Sequence, residues 1–177
     1  MSLKELTAEK HKAAESTKFM KAVFAKKMPR DIWADWTFQK CYFYKTIETQ
    51  CNANGLLLDL PDIERTQLLI NDYAAMHEPH MEARIRPTTL DYCNYIIDLP
   101  PGPLVLAHLY TWHMGDMFGG QMIKKIVDAP HSNLDFTNVS MLQTNLRAKL
   151  DDSLGDEANL AFDWAIRLMS VYDDSLE

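Results

Sequence analysis

The chain has 177 residues, 47% of them apolar and 24% charged, and a net charge of −7; that is enough for one domain, residues 1–177, with a real core, and it lacks the basic footprint of a nucleic-acid binder. Its cysteines, Cys41, Cys51 and Cys93, form no paired pattern, so no disulfide framework is expected and a reducing cytosol fits. No run approaches the roughly 18 apolar residues of a membrane span, and the charged opening MSLKELTAEKHK has no apolar signal region, so a soluble cytoplasmic protein without signal peptide or tail anchor is expected.

Glycine and proline punctuate the chain sparsely, and the segments between them have helical length and composition. A first helix is predicted over 3–27. A second runs from Asp31, a capping residue, to about Asn54. A third follows Pro61, with Asp62 and Glu64 in its first turn where the helix dipole favours acids, and ends near Met76. A shorter one spans Pro87 to about Asp98, a long one Pro103 to about Val127, and two more 136–152 and 156–174. Sustained strand-like alternation is absent. The class is all-α, a single multi-helix bundle with short connections. Charge is uneven along it: residues 1–30 hold eight Lys or Arg against three Glu, leaving −12 on the remainder.

The fifth predicted helix contains HMGDMFGGQ, residues 113–121, which holds three of the six glycines in the chain. Gly115, Gly119 and Gly120 each cost a helix about 1 kcal/mol relative to alanine, so something must offset them. Either another helix packs closely against the missing side chains, or the helix kinks and a flat ligand lies on bare backbone. Gly115 and Gly119 share a face, Gly120 lies beside it, and Asp116 is one residue off. Helix packing alone gives no reason for an acid there.

In the first helix, Lys4, His11, Glu15 and Lys18 fall at spacings of seven, four and three, which stack them on one side. Glu15 can reach the His11 imidazole, fix its tautomer and leave the other ring nitrogen for a metal. Lys4 can hold an anionic edge of the same ligand.

These residues carry a family resemblance. LKELTAEKHKAAESTKFMK (3–21) resembles the opening helix of the haem oxygenases in its histidine, in the acid four residues later and in the lysine seven residues earlier. HLYTWHMGDMFGGQMIKKI (108–126) resembles that family's distal helix, with a tyrosine, then G-D-x-x-G-G-Q, then a lysine pair. Weaker similarity continues through 60–76 and 145–150. The resemblance implies haem b as both substrate and cofactor, with His11 as proximal iron ligand and Glu15 as its partner. The porphyrin would lie between the first helix and the Gly-kinked distal helix, where side chains at 115, 119 and 120 would collide with it. Asp116 would organise water beside bound oxygen. The products implied are biliverdin opened at the α-meso carbon, carbon monoxide and ferrous iron. Lys4, Tyr110 and Arg147 match propionate-binding positions, and Lys18 joins them by spacing.

The chain departs from the family at Gln143, where a lysine is usual, and at Trp112-His113, where Arg-Tyr is usual. It carries no Rossmann, flavin or iron–sulfur signature, so electrons would come from outside, with reduced ferredoxin the expected donor to the lysine-rich first helix. A non-catalytic haem carrier or sensor is the alternative; a di-iron carboxylate site ranks last, for want of an E-x-x-H pair. His77 and His80 are not read as a zinc site, because Pro79 breaks their helical spacing. His108 and His113 are expected on different faces, with His113 turned away from the ligand. The aromatic stretches 35–48 and 91–97 read as core packing, and Met114, Met117 and Met122 as gap-fillers.

Overall fold

A computed structural model describes residues 1–176. It is helical throughout, with no strand among the described residues. The helices are α1 (Leu3–Leu6), α2 (Ala8–Glu15), α3 (Lys18–Phe24), α4 (Arg30–Ala53), α5 (Thr66–Met76), α6 (Pro87–Ile97), α7 (Leu106–Leu109), α8 (Gly115–Phe118), α9 (Gly120–Ile126), α10 (Val139–Lys149) and α11 (Gly155–Ser170). None is long and apolar enough to cross a membrane.

The predicted first helix is three helices. Ser2 and Glu5 cap α1 reciprocally: Glu5 N–H donates to Ser2 Oγ at 3.2 Å and Ser2 N–H to Glu5 Oε2 at 2.7 Å. The helix breaks at Thr7, whose hydroxyl turns back to the Leu3 carbonyl, and again at Ser16–Thr17. Thr17 is extended and its Oγ1 accepts from Met20 N–H, starting α3 afresh. The expected stack of Lys4, His11, Glu15 and Lys18 therefore does not form: only His11 and Glu15 share a helix.

α4 is the spine. At 24 residues it is about 36 Å long, and α5 and α6 pack along it while α11 closes over α1, α2, α3, α6 and α7. Trp36, Phe43, Tyr92 and Trp112 interlock on its inner side, the Phe43 and Trp112 rings being 4.6 Å apart. α5 begins at Thr66, later than the prediction from Pro61. Asp62 is left-handed (φ 63°), and the start of α5 is set by Glu48 of α4. Its carboxylate accepts from Arg65 N–H at 2.7 Å and from Thr66 N–H at 3.1 Å, supplying a cap from a distant helix. Arg65 pins the same turn and the 132–136 loop, donating to the Asp135 carbonyl at 2.9 Å with its guanidinium 4.0 Å over the Phe136 ring.

The glycine-bearing segment is irregular before its glycines are reached. Tyr110–Met114 is a five-residue π-helical stretch between α7 and α8, a feature frequent at functional sites. Gly115 and Gly119 both keep ordinary helical dihedrals. The kink expected of glycine is thus a wide turn on the N-terminal side of Gly115, and what the glycines contribute is the absence of side chains.

Candidate active site

A cavity of about 520 Å³ lies between α2 and α3 on one side and α8, α9 and the 127–134 loop on the other, with α4 and α11 as its inner walls. His11 and Glu15 belong to one wall, and Gly115, Asp116, Gly119 and Gly120 to the opposite one. Residues some 100 positions apart in sequence therefore share one crevice.

His11 stands at the open rim, its side chain 59% exposed, with Nε2 3.3 Å from Glu15 Oε1 and its ring 5.6 Å from that of Phe162. Nδ1 makes no hydrogen bond among the described residues, so the imidazole has one nitrogen oriented by a carboxylate and one free to ligate.

The three glycines differ. A Cβ at Gly115 would meet nothing within 4 Å, and one at Gly119 only the Gly115 carbonyl, at 3.4 Å. Both therefore present bare backbone to open space. A Cβ at Gly120 would come within 2.9 Å of Leu134 Cδ2. The expectation that a side chain at 120 would strike the ligand is corrected: Gly120 makes room for the 127–134 loop.

Asp116 is half-buried and held by a residue the sequence did not single out. Tyr44 on α4 donates its hydroxyl to Asp116 Oδ2 at 2.5 Å. Burial, then the neighbouring Asp116 carboxylate, pushes the Tyr44 hydroxyl well above its ordinary pKa, so it remains a donor. The Tyr44 ring lies 4.7 Å from that of His113.

His113 is fully buried, and its Nε2 meets Glu48 Oε2 at 2.7 Å. It is absent from the cavity wall, as expected. Burial raises the Glu48 pKa, but the hydrogen bonds from His113, Thr66 and Arg65 outweigh it and hold the carboxyl below its usual range.

Trp112 lines the cavity, and its indole N–H donates to Tyr92 Oη at 2.9 Å. Tyr92 Oη lies 2.7 Å from His108 Nδ1, and His108 Nε2 lies 2.8 Å from Glu157 Oε1. The pair that replaces the family's Arg-Tyr is thus tied to α6 and α11 through Trp112 and to α4 through His113 Nε2, while His113 Nδ1 is buried without a partner.

Of the ten predicted site residues, six line the cavity; Lys4, Lys18, Tyr110 and Arg147 do not. Lys4 and Lys18 are exposed on α1 and α3, on either side of the helix breaks, and Tyr110 is half-buried in the π-helical stretch. Arg147 is close by, its guanidinium 5.4 Å over the ring of Phe118, a cavity residue.

The aromatic stretch 35–48 is more than core. Trp36, Thr37 and Lys40 line the cavity and Tyr44 orients Asp116. The signal was present as an α4 stripe at 33, 36, 37, 40 and 44, but it is indistinguishable from a core stripe until the facing element is known.

The family model for heme oxygenase matches residues 1–139. A rat protein named heme oxygenase 2 is 24% identical over 98% of this chain, which spans 65% of that protein's length. Among solved structures, heme oxygenase-1 of the cyanobacterium Synechocystis, in complex with heme, superposes with a TM-score of 0.85 at 20% identity, over 98% of this chain and 91% of that one. The heme oxygenase of Leptospira interrogans superposes with a TM-score of 0.81 at 24% identity, over 97% and 100%.

Proposed function

The chain belongs to the haem oxygenase family, and on that premise we propose that it opens haem oxidatively to biliverdin, carbon monoxide and ferrous iron, using O2 and electrons from reduced ferredoxin. The observation that carries this reading is the pairing across one cavity of the Glu15-oriented His11 with the bare backbone at Gly115 and Gly119 beside Asp116.

The residues present fit the macrocycle. The wall is largely apolar, with Phe19, Trp36, Phe118 and Phe162 among its rings. The space that a Cβ at 115 would enter is vacant of protein atoms to 4 Å. The donor set is a neutral-capable imidazole backed by a carboxylate, the usual protein contribution to haem iron.

When bound, haem supplies both the iron that activates oxygen and the ring that is oxidised. The chain supplies orientation and proton control. His11 would hold the iron through the nitrogen that Glu15 does not meet. Gly115 and Gly119 let the ligand approach the helix backbone. Asp116, fixed by Tyr44, would hold water at the cavity wall opposite His11 and pass a proton there. The apolar wall keeps other water out. Arg147, its guanidinium over the ring of the cavity residue Phe118, would anchor a propionate, and opening at the α-meso carbon is proposed from the family resemblance. Lys4 and Tyr110 enter the proposal as further propionate contacts by family position alone; Lys18 has only its spacing, and the break before α3 removes that ground.

An aerobic absorbance time course of the haem complex with ascorbate or reduced ferredoxin tests the reading. Loss of the Soret band with appearance of biliverdin is expected. Stoichiometric haem binding with an unchanged Soret band under the same conditions would make the protein a carrier or sensor.

A further inference from the structure

Lys40 is the unexplained charge in this site. It projects from the inner side of α4, is only 8% exposed, and lines the cavity. Its ammonium has no ion pair or hydrogen bond among the described residues; it lies 5.0 Å over the ring of Tyr44, the residue that fixes Asp116. The side chain is buried but its ammonium is not enclosed, so the charge is open to the cavity, and Tyr44 offers it only the face of its ring.

Asn133 lines the same cavity, though its unpaired oxygen is enclosed. Asn133 is 6% exposed; its Nδ2 donates to Asp72 Oδ2 at 2.7 Å, while its Oδ1 is buried without a partner. The bond to Asp72 fixes the amide orientation, so Oδ1 stays an acceptor turned away from Asp72. Asp116 is the third polar member. The other titratable groups around this end are Cys41 on α4, which feels both Lys40 and Asp72, Asp72 on α5, and His131 and Lys124 on the far wall.

An ammonium without a partner, on the wall of a cavity that also holds a carboxylate, is a place for water or a small anion. We propose that Lys40 is a positioning residue: its ammonium holds water at the inner end of the cavity and stabilises negative charge on a small ligand bound opposite His11. The proposal rests on the haem reading above. It assigns to α4 a cation that the distal segment, with Trp112 bonded to Tyr92, does not provide.

The test uses the full chain loaded with ferric haem and titrated at fixed pH with fluoride, a small anion that accepts hydrogen bonds, and with imidazole as a neutral comparator. Lys40→Met keeps the length and removes the charge; Lys40→Arg keeps the charge. Fluoride affinity is expected to fall about tenfold in Lys40→Met and to stay within about threefold in Lys40→Arg, with haem and imidazole affinities unchanged. A fluoride affinity unmoved in Lys40→Met overturns the proposal, as does an equal loss for imidazole, which means a collapsed pocket. Weakened haem binding in Lys40→Met alone overturns it too, because Lys40 then pairs with a carboxylate of the macrocycle. The two readings separate cleanly: a wild-type protein that binds no haem sinks both, whereas one that shows the fluoride effect but makes no biliverdin sinks only the oxygenase reading.

Discussion

Tyr44 and Asp116, 72 positions apart in sequence, are joined by a 2.5 Å hydrogen bond that runs from the middle of α4 to the wall of the cavity. The bond fixes a half-buried carboxylate beside the two glycines whose missing side chains open that wall. Tyr44→Phe frees the carboxylate without changing the shape of the core. It should cost about 1–2 kcal/mol of stability and lower the rate of biliverdin formation about tenfold or more, with haem affinity unchanged. Asp116→Ala should show the same split more strongly. Single-turnover spectra with thermal melts measure both, and an equal biliverdin yield from Asp116→Ala would refute the proton role.

His11 is more than half exposed and contributes little packing. His11→Ala should therefore leave the melting transition within about 0.5 kcal/mol of wild type while abolishing the histidine-ligated haem spectrum. A histidine-ligated spectrum that survives the substitution would move the iron ligand elsewhere.

The glycines give a paired prediction. Gly115→Ala and Gly119→Ala place a methyl group in open space or in ordinary contact, so each should raise helix stability by about 1 kcal/mol and weaken haem binding. At Gly120 the same methyl meets buried Leu134 at 2.9 Å. The propensity gain should there be offset by an overpacking cost of about 1 kcal/mol or more. Urea denaturation of the apoproteins, set beside haem titrations, separates the two effects.

Glu48 ties stability to pH. Its folded carboxyl is held below the ordinary value of 4.5 by the bonds from His113, Thr66 and Arg65, despite burial. The stabilisation is present above the unfolded value and is lost as pH falls through the folded one. The protein should therefore lose stability as pH falls below about 4.5. Glu48→Gln should cost about 2–3 kcal/mol at neutral pH and flatten that acid slope, as read from urea melts between pH 3 and 7.

The exposed lysines of α2 and α3, including Lys12, Lys18 and Lys21, flank the cavity rim. If they meet an acidic ferredoxin, the rate of electron delivery should fall as salt rises, and Lys18→Glu with Lys21→Glu should slow it at low salt while leaving the ascorbate-driven reaction unchanged.

The linear sequence determined the helical class, because punctuation by glycine and proline, hydrophobic period and the absence of alternation are local properties. It also determined the two poles of the site, since a histidine and a glutamate four apart, and an aspartate among glycines, are patterns within one helix turn or two. Tertiary structure decided what those poles face. Side-chain hydroxyls of Thr7 and Thr17 competed with the helix backbone and broke the lysine stack. A carboxylate 17 positions away chose where α5 begins. Leu134 gave Gly120 a packing role where Gly115 and Gly119 leave backbone facing open space. Lys40 and Tyr44 entered the site only when α4 was laid beside the distal segment. A stripe along one helix face states that something covers it, and only the folded chain specifies whether that is core, cavity or charge.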